Sequence, residues 1–222
     1  MICLTGFVTL LLIFTAEARV GDSSQLNFCS ETEQCLLFDS ICNSTTYEVR
    51  HYESVKWVST DYKSLSMELM MFQSFWRLYG YITGENEEGK KIDMTAPVLM
   101  KIPEKKIFQQ GVFTMSFLLP AEYQNNPPQP TNKDVYIQEM PAMNVYVRSH
   151  GDMMHTFADK KHCEELSSAL RPVNAKYEKG FHYGAGYNRP SWNKKCHSEV
   201  WYVVEGDPVC NNSEADDQNP EP

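Results

Sequence analysis

The chain has 222 residues, with 20 Lys and Arg against 29 Asp and Glu and a formal net charge of −9. That balance argues against nucleic acid and anionic membranes as partners, because both are held by concentrated basic residues and no basic run is longer than the pair Lys194-Lys195. With 42% hydrophobic residues, it is composed to bury one core of ordinary size.

Met1 to Ala18, "MICLTGFVTLLLIFTAEA", is apolar and closes on the small-x-small pattern Ala16-Glu17-Ala18. It is too short, and too abruptly followed by polar sequence, for a stable anchor, so it reads as a secretory signal that leaves no membrane span in the mature chain. Cys3 goes with it, leaving Cys29, Cys35, Cys42, Cys163, Cys196 and Cys210. An even set in a chain bound for an oxidising compartment predicts three disulfides, with the pairing open, and the irregular spacing matches no zinc knuckle. Asn43 and Asn211 each head an N-x-Ser/Thr sequon, which adds to the expectation of a secreted, extracellular glycoprotein.

Residues 19 to 46 form a Cys-containing N-terminal extension, and 47 to 206 carry the periodic patterns of the domain. In "YEVRHYESVKWV" (47 to 58), period-two reading places Tyr47, Val49, His51, Glu53, Val55 and Trp57 on the more apolar face of a strand. From Asp61 to Tyr79 the spacing predicts a helix, stopped near Gly80, with two stripes. Leu65, Leu69, Phe72, Trp76 and Tyr79 form the stripe expected to lie on a sheet. Met67, Met71, Phe75 and Leu78 form the other, which then needs a cover of its own: either the segment "CLLFDSIC" held over it by disulfides, or a ligand in an apolar groove.

Strands follow at 91 to 102 and 111 to 120, then a Pro-rich linker at Pro127, Pro128 and Pro130. The order then restarts: strand 135 to 149, helix 152 to 170, strands 181 to 190 and 198 to 206. Sliding the halves together pairs Val49 with Ile137, Val55 with Met143, Trp57 with Val145 and His51 with Glu139. This predicts an α+β fold, two β-α-β-β repeats forming a distorted antiparallel β-barrel flanked by two helices. Residues 207 to 222 are acidic and lack apolar anchors, and read as a disordered tail.

The stretches "YEVRHYESVKWVST", "KIDMTAPV", "FTMSFLLP", "PPQPTNKDVYIQEMPAMNVYVRS", "AGYNRP" and "EVWYV", in that order, resemble the SOUL heme-binding protein family. The resemblance implies the fold above and binding of heme or another tetrapyrrole in a shallow apolar groove beside a helix, with no defined reaction. It nominates His51 as axial iron ligand. The expected ring wall is then Met67, Met71, Phe75 and Leu78, with Arg50, Lys56 or Lys63 facing the propionates. The signal segment, cysteines and sequons set this chain apart as a secreted branch.

An enzyme is not expected: no nucleophile elbow, phosphate loop or His-Glu-x-x-His helix occurs. His155 and His162 are too far apart for an i, i+4 metal pair, and His150, His182 and His197 fall at strand ends or in loops. The function from another class is a disulfide-stabilised extracellular interaction protein that keeps the scaffold without heme; its protein partner is not specified by the sequence.

Overall fold

The computed structural model describes residues 19–105, 109–189 and 196–210. Residues 1–18, expected to be a signal, Asn211 and most of the acidic tail lie outside them. A two-stranded sheet of β1 (Val20–Asp22) and β2 (Gln34–Leu36) precedes β3 (Asp39–Asn43), β4 (Glu48–Tyr52) and β5 (Val55–Ser64). Then come α1 (Met67–Ile82), β6 (Val98–Pro103), β7 (Gly111–Leu118), β8 (Val135–Met140) and β9 (Met143–His150). The chain continues through α2 (Thr156–Leu170), β10 (Phe181–Gly186) and β11 (Ser198–Val203).

The main sheet has nine strands in the order β3-β4-β9-β11-β10-β6-β7-β5-β8, every neighbour antiparallel. It curls into a half-barrel, with β3 and β8 left as edges. The α+β class with two flanking helices is thus as expected, but each repeat has two strands before its helix. The long first strand read from the sequence is broken at Glu53-Ser54 in one half and at Pro141-Ala142 in the other. Proline lacks the N–H that a ladder needs, which fits a break there.

The repeats obey a pseudo-twofold. Exchanging β4 with β8, β5 with β9, β6 with β10 and β7 with β11 reverses the eight-strand order into itself. Register agrees: Glu48 faces Val147 and Ser59 faces Tyr136, and each β4–β5 residue maps onto the one 88 positions later. His51, opposite Asn144, therefore corresponds to Glu139, opposite Lys56.

α1 starts later than the sequence predicts because Asp61 to Ser64 remain in β5, paired with Gly111 to Thr114 of β7. Ser66 is its N-cap, its Oγ accepting from the Leu69 N–H at 3.3 Å. The helix runs through Gly80 to Ile82, and Gly84, at φ 126°, takes the positive-φ position beyond its end.

The stripe assignment is reversed. Met67 (3% exposed) and Leu78 (0%) face the sheet with Met70, Ser74, Tyr81 and Ile82, whereas Phe72 (61%) and Trp76 (56%) point outward with Leu65, Leu69 and Tyr79. Met71 and Phe75 sit at the boundary, half-buried against the same core. Ser74 explains the inversion: a small side chain at the centre of the contact lets the helix approach the sheet, and it breaks the apolar stripe that periodicity seeks.

The N-terminal segment does not cover α1. Leu36 and Cys35 are buried, and Phe38 packs, in the cluster inside the curl of the sheet, with Tyr52, Trp57, Val145 and Trp201. Leu36 N–H donates to the Ala96 carbonyl, and β3 pairs with β4 as the edge strand. A second cluster lies under α1, and a third, with Tyr47, Val49, Tyr146, Leu166 and Leu170, lies under α2. Among the described residues two disulfides form, Cys29–Cys35 and Cys42–Cys210. The third bridge expected from the sequence is not among them: Cys163 sits on α2 beside Asp159 and His182, and Cys196 adjoins the undescribed 190–195.

Candidate functional site

Apolar surface is concentrated on the outer face of α1. Phe72, Phe75, Trp76 and Tyr79 contact one another, with Phe75 stacked on Tyr79 at 5.8 Å and Trp76 edge-on to Phe72, Phe75 and Tyr79. Phe75 also meets Phe117 of β7 at 5.5 Å, so the ridge is anchored to the sheet by one ring while the others face solvent. Leu65 and Leu69 extend the ridge toward the helix start, where the Lys105 ammonium donates to the Leu65 carbonyl at 2.7 Å. A contiguous aromatic surface of this kind is a candidate binding place, because isolated exposed apolar residues are ordinary but clustered ones are not.

His51 is elsewhere. Its β4 backbone pairs with β9, and its Nδ1 lies 2.8 Å from the Asn144 Oδ1. Its ring is partly exposed, with Nε2 3.6 Å from Glu53. Arg77, near the end of α1, reaches the Asp61 carbonyl and Thr60 at the middle of β5. His51 lies beyond the start of that strand, so the structure does not join it to the residues of α1. Met67, Met71, Phe75 and Leu78 do come together, but in the core cluster beneath the helix.

Beside His51, Asn144 also lines a cleft of about 470 Å³ with Lys101, Met140, Met143, Phe181 and Tyr183. The Lys101 ammonium stands 4.0 Å from the centre of the Phe181 ring. The Asn144 contact is the kind that fixes a histidine tautomer: an amide oxygen accepting from Nδ1–H leaves the lone pair on Nε2, which stands 3.6 Å from Glu53.

Of the cations expected near a ligand, Arg50 is unavailable. It is 1% exposed inside the curl, bonded to Glu199 at 3.0 Å and Glu48 at 2.8 Å, with Phe38 against its guanidinium at 4.0 Å. Glu199, wholly buried, also accepts from Trp201 Nε1 at 2.7 Å and the Tyr187 hydroxyl at 3.1 Å, and meets His197 Nε2 at 2.7 Å. Burial alone would push this carboxyl up, but Arg50 and then the His197 hydrogen bond outweigh it and hold it down to about 2. Burial and then Glu199 push the Tyr187 phenol well above its ordinary range. A carboxylate with every partner satisfied is a structural centre. Lys56, for its part, donates to the Asn125 carbonyl at 3.1 Å.

Sequence reasoning missed a polar seam beneath α2. His150 stacks on His162 at 3.8 Å; His162 lies between Asp152 and Glu165; and His182 meets both carboxylate oxygens of Asp159, beside Cys163. Burial, then the neighbouring His162, holds the His150 imidazole down to about 4. Burial, then Asp159, raises the Cys163 thiol far above its usual range, which makes it a poor nucleophile. His162 and Glu165 at i, i+3, and Asp159 and Cys163 at i, i+4, were the local cues in the sequence.

Residues 33–203 match the family model for SOUL heme-binding protein. Human "Heme-binding protein 2" is 34% identical over 168 residues, covering 75% of this chain and 82% of that protein. "Heme-binding protein 1" of Xenopus laevis is 25% identical, over 72% and 85% of the two chains. Among solved structures, "Crystal structure of EcmrR C-terminal domain" superposes with a TM-score of 0.50 at 11% identity, over 77% of this chain and 99% of that one. The EcmrR–DNA complex gives 0.54 at 8% identity, over 73% and 59%. At these identities the structures testify to the fold alone. With the match to the family model spanning both repeats and the relatives aligned over most of their length, the chain belongs to the SOUL heme-binding protein family.

Proposed function

We propose that this protein is a secreted, non-catalytic binder of heme or a related tetrapyrrole, and that the porphyrin lies on the aromatic ridge of α1. The observation that carries the reading is the outward cluster of Phe72, Trp76 and Tyr79 in a family whose relatives are named for heme. Flat rings offer a porphyrin face the extended apolar contact it needs, and the Lys105 ammonium, which donates to the Leu65 and Gln109 carbonyls, keeps a third donor at one end for a propionate. Phe75 and Met71, at the ridge boundary, line its sheet side. Met67 and Leu78 support it from the core.

A second placement rests on His51, with its Nδ1 on Asn144 and a cleft at its side. There the imidazole would ligate iron and Lys101 would meet a propionate. Hemin titration of the purified protein separates the two. The ridge reading expects a saturable Soret change at one equivalent, weakened at least tenfold by Phe72→Ala with Trp76→Ala and unchanged by His51→Ala. The ridge residues are exposed, so the double variant is expected to unfold within about 0.5 kcal/mol of the parent. Loss on His51→Ala alone moves the site to the cleft, and no saturable change in the parent protein refutes tetrapyrrole binding altogether.

Secretion is supported by the Cys42–Cys210 and Cys29–Cys35 bridges and by Asn43, exposed at the end of β3 where a glycan has room. In a eukaryotic expression host, the protein recovered from the medium is expected to begin at Arg19 and to lose mass on glycosidase treatment. Retention inside the cell with Met1 intact would overturn this.

A further inference from the structure

We propose that His150, Asp152 and His162 form a binding site for a divalent transition cation of the zinc type, at the junction of β9 and α2. Their ligand atoms all lie within 4.8 Å of one another. Both ring nitrogens of His150 are buried with no hydrogen-bond partner, an arrangement that costs free energy unless something takes a lone pair. His162, buried over the sheet, has Nε2 2.9 Å from Asp152 and Nδ1 2.9 Å from Glu165.

This second contact is what a zinc-bound histidine needs. A ligating imidazole nearly always gives its other N–H to a carboxylate, which fixes the ring and raises its basicity. Here Glu165 accepts from His162 Nδ1–H, and is itself held by Arg148 at 2.7 and 2.9 Å. The outer partner is therefore in place for His162, while the inner donors are loosely assembled. A tetrahedral cation at about 2.1 Å from each donor draws them to about 3.4 Å apart. Asp152 lies in an exposed loop and His150 ends its strand, so those two close onto the fixed His162, turning the stacked rings out of parallel. The exposed side of Asp152 leaves the fourth position to water. The chemistry selects zinc or copper over calcium, because two imidazoles outweigh one carboxylate.

The neighbouring group of Asp159, Cys163 and His182 is the competing location. Its histidine and carboxylate satisfy each other, as His162 and Asp152 do, but it holds no counterpart of the unpartnered His150 nitrogens. The test is calorimetric titration of the heme-free, disulfide-intact protein with zinc chloride, so hemin plays no part in the outcome. One zinc per chain is expected, with micromolar or tighter affinity, weakened at least tenfold by His162→Ala and by His150→Phe and unchanged by Cys163→Ser. His150→Phe keeps the stack on His162, so the comparison survives if the buried His162→Ala chain fails to fold. Absence of saturable binding, indifference to His150→Phe, or equal loss in Cys163→Ser would each overturn the assignment.

Discussion

Glu199→Gln is expected to lower the unfolding free energy by about 3 to 5 kcal/mol at neutral pH, the cost of leaving a buried charge without its counter-charge. Arg50 would remain inside the curl with only Glu48, itself partly exposed, as an anionic partner. Trp201, Tyr187 and His197 would all lose the carboxylate they share. The loss is pH-dependent. Because folding depresses the Glu199 carboxyl to about 2 from an ordinary 4.5, its stabilisation is complete above the unfolded value. It is lost as pH falls through the folded one. Urea unfolding of parent and variant should therefore converge between about 4.5 and about 2. A constant difference across that window, or one below about 1 kcal/mol at neutral pH, would show that the pair is not the centre of the fold.

The second large effect is expected from the bridge that joins the two ends of the domain. Cys42 and Cys210 are 168 residues apart in sequence and close nearly the whole fold into one loop. The chain-entropy account assigns such a link about 5 kcal/mol, against about 2 kcal/mol for the six-residue separation of Cys29 and Cys35. Around it, Tyr47 donates to the Val209 carbonyl at 3.0 Å and the Val209 N–H donates to the Tyr146 hydroxyl at 3.1 Å. The C-terminal strap thus belongs to the cluster under α2. Cys42→Ser with Cys210→Ser should lower the urea midpoint by more than Cys29→Ser with Cys35→Ser; the reverse order would mean that the strap is held by its hydrogen bonds alone.

The duplication was legible because backbone register preserves it: Val49, Val55 and Trp57 align with Ile137, Met143 and Val145 in sequence and in the sheet. Arg50 was not legible. Alternation assigned it to the polar face of β4, yet that strand is covered on both sides, by the α2 cluster at Val49 and by the inner cluster at Tyr52. Alternation carries information only where one face meets water. Its partner Glu199, 149 residues on, offered no local pattern at all. On α1 both stripes are apolar, and burial went to the one containing Ser74. The more hydrophobic stripe was left outside, where a ligand can use it.

β4 and β5 adjoin in sequence, yet β4 pairs with β9 and β5 with β8, so each repeat finishes its sheet only with strands borrowed from the other. Neither half completes its sheet alone: β5, β6, β7 and α1 pack together within the first, but β4 finds its partner in β9 of the second. Cut at the proline-rich connection, the chain would become two fragments, each leaving strands whose partners lie in the other. A single copy of one repeat would face the same demand and meet it by pairing with its twin, so the present molecule has the form of a symmetric dimer whose subunits have become one chain.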